Sequence, residues 1–402
     1  MSDSEASSDD VRRHRYPGGL DELEDLRHAF VNQAGVTTYQ GPRGLMHVVD
    51  YDAKLFSSIF VCFTCTGTVF RRPRLWIEVL LLLAIFLLVG ELSWHHKSDL
   101  QGSQIHNSPL PEKLNAVAAF LLAFYTSLCV SRWWNLRTDG INNMMQTTSE
   151  LTLYLCTFIT QDKQVLSAIR RYARASLEII LMERLYRDAD QVLDDLYYLT
   201  KINILTEDEV QALRESGDNP AEAIWAWSFQ IVNNLIKAGL IPNVPFQCTI
   251  IGIVNNGRAS VALIRNLLDC PVPMPYVHLL GVLVKLSNIC SAFTYGVMWG
   301  LHGRDAKHGW PFALDLAFTA GRAVLVPMMF NAILTINADL SDPFSADLND
   351  FPVRKYQLTM ESDSDCYVRA AQTLPSWLTN GYPKTRNGRT GNIESYGENE
   401  GD

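Results

Sequence analysis

Residues 75–94 read LWIEVLLLLAIFLLVGELSW, and this stretch decides the fold class. A helix rises about 1.5 Å per residue, so about twenty apolar residues cross the hydrocarbon core of a bilayer. Glu78 and Glu91 lie near the ends of the stretch, and Trp76 and Trp94 flank it like the aromatic residues at membrane interfaces. The stretch therefore predicts a transmembrane helix.

A second apolar stretch, LNAVAAFLLAFYTSLCVSRWW at 114–134, carries no charged residue before Arg132. Arg71 and Arg72 precede the first stretch, and Arg137 follows the second. Basic residues are enriched on the cytoplasmic side of membrane proteins. The sequence therefore predicts two spans joined by a short outer loop, with the N-terminus in the cytoplasm.

Two weaker spans are predicted at 275–300, which contains Lys285, and at 311–336, which contains Asp315 and Arg322. Charges inside a membrane are costly and usually face a helix bundle or water. The alternative is that both segments are buried helices of a soluble domain, but the two strong spans upstream favour membrane insertion. Four spans place the C-terminus in the cytoplasm with the N-terminus.

The rest of the chain is polar or mixed in character. Residues 138–270 combine helical spacing with many charges, which predicts a helical cytoplasmic domain. The acidic segment 1–45 and the polar, Gly-rich segment 379–402 are typical of disordered tails. The net charge of −9 argues against a nucleic-acid partner. The predicted fold is therefore an all-α polytopic membrane protein.

Signatures of catalysis are missing from the sequence. It contains no HExxH, no P-loop and no GxSxG motif, and no second CxxC follows Cys62–Cys65 at zinc-finger spacing. We therefore expect a protein that is not an enzyme, with no catalytic residue and no organic cofactor.

Three aspartates, Asp342, Asp347 and Asp350, crowd into the stretch SDPFSADLNDFP at 341–352. Carboxylates so close together repel each other unless a cation joins them, and calcium accepts irregular sets of carboxylate and carbonyl oxygens. The pattern is not an EF-hand, because the DxDxDG run and the closing Glu are missing. The alternative is a solvated acidic turn at the end of a membrane helix.

Ala116, Phe120 and Phe124 are spaced four residues apart in the second span, so they share one helix face. Copies of this helix around an axis would stack these side chains into apolar rings, and a narrow apolar ring can gate a pore by dewetting. The edges of phenyl rings carry partial positive charge, which favours a passing anion. The alternative is that this face contacts lipid or neighbouring helices.

Four stretches in register together resemble the bestrophin family of anion channels. SRWWNL at 131–136 is similar to the family's motif at the end of its second span, and GTVFR at 67–71 to the stretch before its first. PMPYVH at 273–278 resembles the entry to a later span, and DPFSADLNDF at 342–351 resembles the calcium-binding stretch. The resemblance places a bestrophin-like channel domain at 46–378.

The resemblance implies a homopentamer in the plasma membrane, with one calcium-activated central pore that passes chloride and often bicarbonate. It places the apolar pore neck at Ala116, Phe120 and Phe124. It also implies a calcium-binding segment at 339–351, here called the acidic loop. The implied calcium ligands are the side chains of Asp347 and Asp350 and the backbone carbonyls of Asp339, Asp342 and Tyr51.

The sequence departs from the family pattern in two places. Ala346, Leu348 and Asn349 interrupt the run of acids, and fewer carboxylates predict weaker calcium binding. Ala116 stands where the family usually has isoleucine, which predicts a wider end of the neck. A non-conducting scaffold or regulator that binds calcium is the alternative function, and the sequence does not separate chloride from bicarbonate as the permeant ion.

Overall fold

The computed structural model describes residues 34–41, 44–51, 68–100, 109–185, 195–217, 219–241, 243–303, 310–344 and 350–379. Within these ranges the chain is helical apart from one pair of strands. The strands are β1 (Ala34–Gly41) and β2 (Gly44–Tyr51), and the longer helices are α1 (Pro73–His95), α2 (Leu110–Asn135), α3 (Asn143–Tyr154), α4 (Lys163–Leu185), α5 (Glu207–Glu215), α6 (Pro220–Lys237), α7 (Val244–Asp269), α8 (Met274–Met298), α9 (Trp310–Ser341) and α10 (Val353–Gln372).

Four helical segments are long and apolar enough to cross a membrane: Pro73–His95, Leu110–Ile159, Met274–Leu301 and Phe312–Ser341. Each of them contains one of the predicted spans or nearly all of it. The first span begins with Pro73, whose missing N–H costs nothing in the first turn of a helix. The prediction of four transmembrane helices is therefore confirmed by length and composition.

The second span does not stop at the membrane thickness. Helical structure runs without a break from Leu110 to Ile159, passing through π-helical turns at Leu136–Asn142 and Leu155–Ile159. These 50 residues make a rod about 75 Å long, against about 30 Å for a hydrocarbon core. The helix therefore continues through residue 138, where the cytoplasmic domain was predicted to begin. No proline stops the helix there.

The four spans pack around α8, which contacts α1, α2 and α9. Small residues allow this close packing between α1 and α8. A Cβ atom on Gly296 would lie 2.8 Å from the backbone oxygen of Phe86, so only glycine fits at that crossing.

Several polar side chains inside the spans are paired across helices. Lys285 Nζ lies 2.5 Å from Glu78 Oε2 and 3.0 Å from Asn331 Oδ1, so one cation joins α8 to α1 and α9. The hydroxyl of Ser287 on α8 donates to Asn115 Oδ1 of α2 at 2.5 Å. These contacts place the mid-span lysine against other spans, as expected for a charge at membrane depth.

The helices outside the spans form a second apolar core. Residues of α3, α4, α6, α7 and α10 contribute to it, and most of the apolar positions of α4 are buried. The capping box expected at the start of α5 is present: Glu209 N donates to Thr206 Oγ1 at 3.2 Å, and Thr206 N donates to Glu209 Oε2 at 2.8 Å. The helical character predicted for 138–270 is confirmed for its described residues.

Helix α10 was not predicted from the sequence, although its buried residues lie at three- and four-residue steps on one face. It runs antiparallel to α4, and a ladder of polar contacts at four-residue steps joins the two helices. The ladder pairs Arg170 with Asp365, Arg174 Nη1 with Glu361 Oε2 at 2.9 Å, and Gln357 Nε2 with Glu178 Oε1 at 2.5 Å.

One strand pair accompanies the helical fold and overlaps the end of segment 1–45, which was predicted as a mostly disordered tail. Strands β1 and β2 pair antiparallel with Ala34 opposite Tyr51 and Gly41 opposite Gly44. Their Val, Thr and Tyr residues favour extended backbone. Residues 1–33 and 380–402, which carry most of the predicted tails, lie outside the described residues.

Candidate pore face and cation-binding loop

Helix α2 has one face buried in the chain and one face turned away from it. Ala118, Leu122, Tyr125 and Cys129 are buried in a cluster with residues of α8 and α9. On the opposite side Ala116 is exposed, and Phe120 and Phe124 are 72% and 55% exposed. The three predicted neck residues therefore share an outward face, here called the pore face.

A tyrosine from the PMPYVH motif supports the pore face from behind. The Tyr276 hydroxyl donates to the backbone oxygen of Leu121 at 3.3 Å. The ring of Tyr276 meets that of Phe124 edge to face, with centroids 6.5 Å apart and planes at 87°. The PMPYVH motif was predicted as the entry to a later span, and in the structure its tyrosine also contacts Phe124.

Two of the predicted calcium-binding aspartates are paired with arginines. Asp339 Oδ2 accepts from Arg72 Nη2 at 3.1 Å, and Asp342 Oδ1 accepts from Arg184 Nε at 3.1 Å. Their carboxylates are therefore held in ion pairs, and the prediction that these two residues bind calcium through their backbone carbonyls stays a prediction. Asp350 is 9% exposed, and Asp347 lies in 345–349, outside the described residues.

The carbonyl of Asp339 is free of its usual helical partner. An α-helix bonds each carbonyl to the N–H four residues later, but residue 343 is proline and has none. The remaining donor, Asp342 N, lies 3.4 Å from the Asp339 oxygen, which is a long contact. Carbonyls at a helix C-terminus carry partial negative charge, so the end of α9 offers oxygens to a hard cation.

The described residues alone do not assemble a metal site from side chains. Within the described ranges no group of three or more His, Cys, Asp or Glu residues is arranged to hold a metal. Tyr51, the remaining predicted carbonyl ligand, is the last residue of β2, and β1 of the same strand pair contacts α10. The described donors are oxygens throughout, which fits calcium rather than a transition metal.

Phe351 anchors the acidic loop to the end of the second span. Phe351 N donates to the Pro343 oxygen at 2.9 Å and closes the loop on itself. The Phe351 ring is 2% exposed and lies 4.9 Å from the Trp133 ring and 5.6 Å from the Phe344 ring. Trp133 belongs to the SRWWNL motif, so this motif joins the helix of the pore face to the acidic loop.

A second contact joins the extended part of this rod to α10. The guanidinium carbon of Arg137 lies 4.5 Å from the centre of the Tyr356 ring. Burial raises the pKa of the Tyr356 hydroxyl, and the Arg137 charge acts in the opposite direction. Arg137 therefore packs against α10, on the side of the rod that contacts the rest of the chain.

We expect Phe351→Ala to lower the thermal midpoint of the purified protein by about 5 °C or more, because removing a buried phenyl ring costs about 3–5 kcal/mol. Phe351→Leu keeps most of the apolar volume and should lose much less. Differential scanning fluorimetry in detergent measures both variants. An unchanged midpoint for Phe351→Ala would contradict the anchoring role.

Comparison with known proteins agrees with this architecture. A family model described as "Bestrophin, RFP-TM, chloride channel" matches residues 48–356. The search of curated proteins finds no match to the chain.

Solved structures of a bacterial bestrophin homologue from Klebsiella pneumoniae share the fold. One variant has a TM-score of 0.58 at 18% identity, covering 72% of this chain and 99% of that one. A second variant has a TM-score of 0.58 at 18% identity, with 73% and 98% covered. At this identity the likeness concerns the fold alone.

The family match spans the four apolar helices, the helices that follow the second span and the acidic loop. It therefore includes both the pore face and the loop tied to it through Phe351 and Trp133. This chain belongs to the bestrophin family, a family of chloride channels.

Proposed function

We propose that five copies of this chain form a calcium-activated anion channel around one central axis. The observation that carries the proposal is the outward pore face of α2, where Phe120 and Phe124 are more than half exposed in the single chain. Five such helices around one axis would stack these side chains into apolar rings, and the match to a chloride-channel family favours this arrangement over contact with lipid. Chloride is the proposed permeant ion, with bicarbonate as the alternative.

The phenyl rings form the gate in this proposal. Five copies of Phe120 and Phe124 make two stacked apolar rings, and a narrow apolar ring excludes water and ions until it widens. The positive edges of the rings favour an anion over a cation once the neck is open. Ala116 lies four residues before Phe120, and its small side chain leaves that end of the neck wider.

Calcium acts as the activator in this proposal. The carbonyls of Asp339, Asp342 and Tyr51 and the carboxylates of Asp347 and Asp350 would hold the ion. Arg72 and Arg184 neutralise the two carboxylates that do not serve as ligands, which keeps the acidic loop from carrying an excess of negative charge.

The contact between Phe351 and Trp133 offers a route from the acidic loop to α2. Calcium needs only to bind one arrangement of the loop more tightly to shift the population toward the open neck. The proposed location is the plasma membrane. Both termini are proposed to lie in the cytoplasm, because arginines flank the first two spans on that side.

Purified protein in chloride-loaded liposomes tests the proposal. We expect chloride efflux that rises with calcium and stops when calcium is chelated. A non-conducting scaffold would bind calcium and release no chloride above the level of empty liposomes. That second result would overturn the channel.

A further inference from the structure

The exposed stripe of α2 continues beyond Phe124 and changes character. Ser127, Ser131 and Asn135 lie on the same side of the helix at three- and four-residue steps, and all three are exposed. Below the phenyl rings these three positions are polar and uncharged over about three turns, and the exposed Trp134 lies beside them.

The π-helical turn at Leu136–Asn142 brings Asp139 onto this stripe. A π-helix bonds residues five apart instead of four, so it takes more residues per turn than an α-helix. The four residues from Asn135 to Asp139 therefore make nearly one full turn, which places Asp139 close to the side of the helix on which Asn135 lies. In an α-helix the same four residues would make more than one turn. The burial pattern agrees: Leu136, Gly140 and Ile141 are buried, and Asp139 is exposed.

Asp139 is the charged residue that remains on this side of the helix. Residues 114–142 contain two other charged residues, Arg132 and Arg137. Arg132 Nη2 donates to the backbone oxygen of Leu267, and Arg137 packs on Tyr356, so both point toward the rest of the chain. The Asp139 carboxylate accepts from Thr138 Oγ1 at 3.2 Å and forms no ion pair with any described residue.

We infer that Asp139 contributes a ring of five carboxylates to the cytoplasmic vestibule below the neck, and that this ring sets the ion selectivity and rectification of the channel. The inference rests on the proposed function. Rings of Asp or Glu attract cations and repel anions. The ring lowers the anion concentration on the cytoplasmic side of the neck, so chloride leaves the cell less easily than it enters, and the current rectifies outwardly.

Asp139→Asn tests the inference in planar bilayers or excised patches with symmetrical chloride and saturating calcium. We expect inward current, carried by chloride leaving the cytoplasm, to rise about two- to fivefold while outward current changes little. In a salt gradient the reversal potential should move toward the chloride equilibrium potential. Asp139→Lys should extend both changes, and Asp139→Glu should leave both near wild type.

Asp162→Asn is the matched control, because Asp162 is an exposed carboxylate away from the stripe and asparagine can replace its contact with Gln164 N. This control should behave like wild type. If the wild type conducts and Asp139→Asn leaves its rectification and reversal potential unchanged, the inference is overturned while the channel stands. If the wild type passes no current, the proposed function itself has failed.

Discussion

Replacing Phe120 and Phe124 together by alanine should produce a channel whose current no longer depends on calcium. The two rings are the narrow apolar part of the proposed neck, and alanine removes both phenyl groups from each of five chains. Water and ions then pass without any widening of the neck. If the open state is a minor population without calcium, the calcium-free current should rise about ten- to a hundredfold.

Phe318→Ala is the matched control for this experiment. Phe318 lies in another apolar span and is 70% exposed, close to the 72% of Phe120. Phe318→Ala should leave calcium dependence intact. Phe318 is as exposed in the single chain as Phe120, but it does not belong to the pore face. Recordings of the double variant that still show full calcium dependence would remove Phe120 and Phe124 from the gate.

Asp350→Asn should shift the calcium concentration for half-activation upward by about tenfold or more. The substitution keeps the size of the side chain and one oxygen, but it removes a charge that is nearly buried. The number of charged ligands is a main determinant of calcium affinity, and the carboxylates of Asp339 and Asp342 are paired with arginines. The maximal current at saturating calcium should change little.

Asp363→Asn controls for loss of charge on the same part of the chain, since Asp363 is exposed on α10 beyond the acidic loop. It should give a dose–response curve that overlays the wild type. A wild-type curve for Asp350→Asn, with the protein folded as judged by its thermal midpoint, would exclude Asp350 as a ligand.

The membrane architecture could be predicted from the sequence because it depends on local composition. The apolar lengths of the first two spans and the flanking arginines were sufficient to place them. Lys285 made the third span less apolar in sequence, yet in the structure its ammonium group donates to Glu78 and Asn331. Such compensation comes from helices distant in sequence, which a reading of one segment does not reveal.

Other features depend on contacts between distant residues and were missed. The contact between Phe351 and Trp133 joins positions more than two hundred residues apart. The ladder between α4 and α10 also joins residues far apart in sequence. The π-helical turn has no sequence signal comparable to a cap or a proline. The strand pair was missed because the acidic composition of the first residues was extended to residue 45.

The candidate site divides in the same way. The four-residue spacing of Ala116, Phe120 and Phe124 predicted one shared face, and the structure places all three on the outward side of α2. Their role as a pore neck, and the calcium ligands of the acidic loop, remain predictions. A central pore forms only when several chains assemble, so the residue pattern of one chain does not establish it.

Single-particle imaging of the purified protein shows whether α2 lines a pore shared by five chains. We expect a particle with five-fold symmetry in which Phe120 and Phe124 of each chain point at the axis. A monomeric particle, or a symmetric one whose axis is lined by another helix while Phe120 faces lipid, would contradict it.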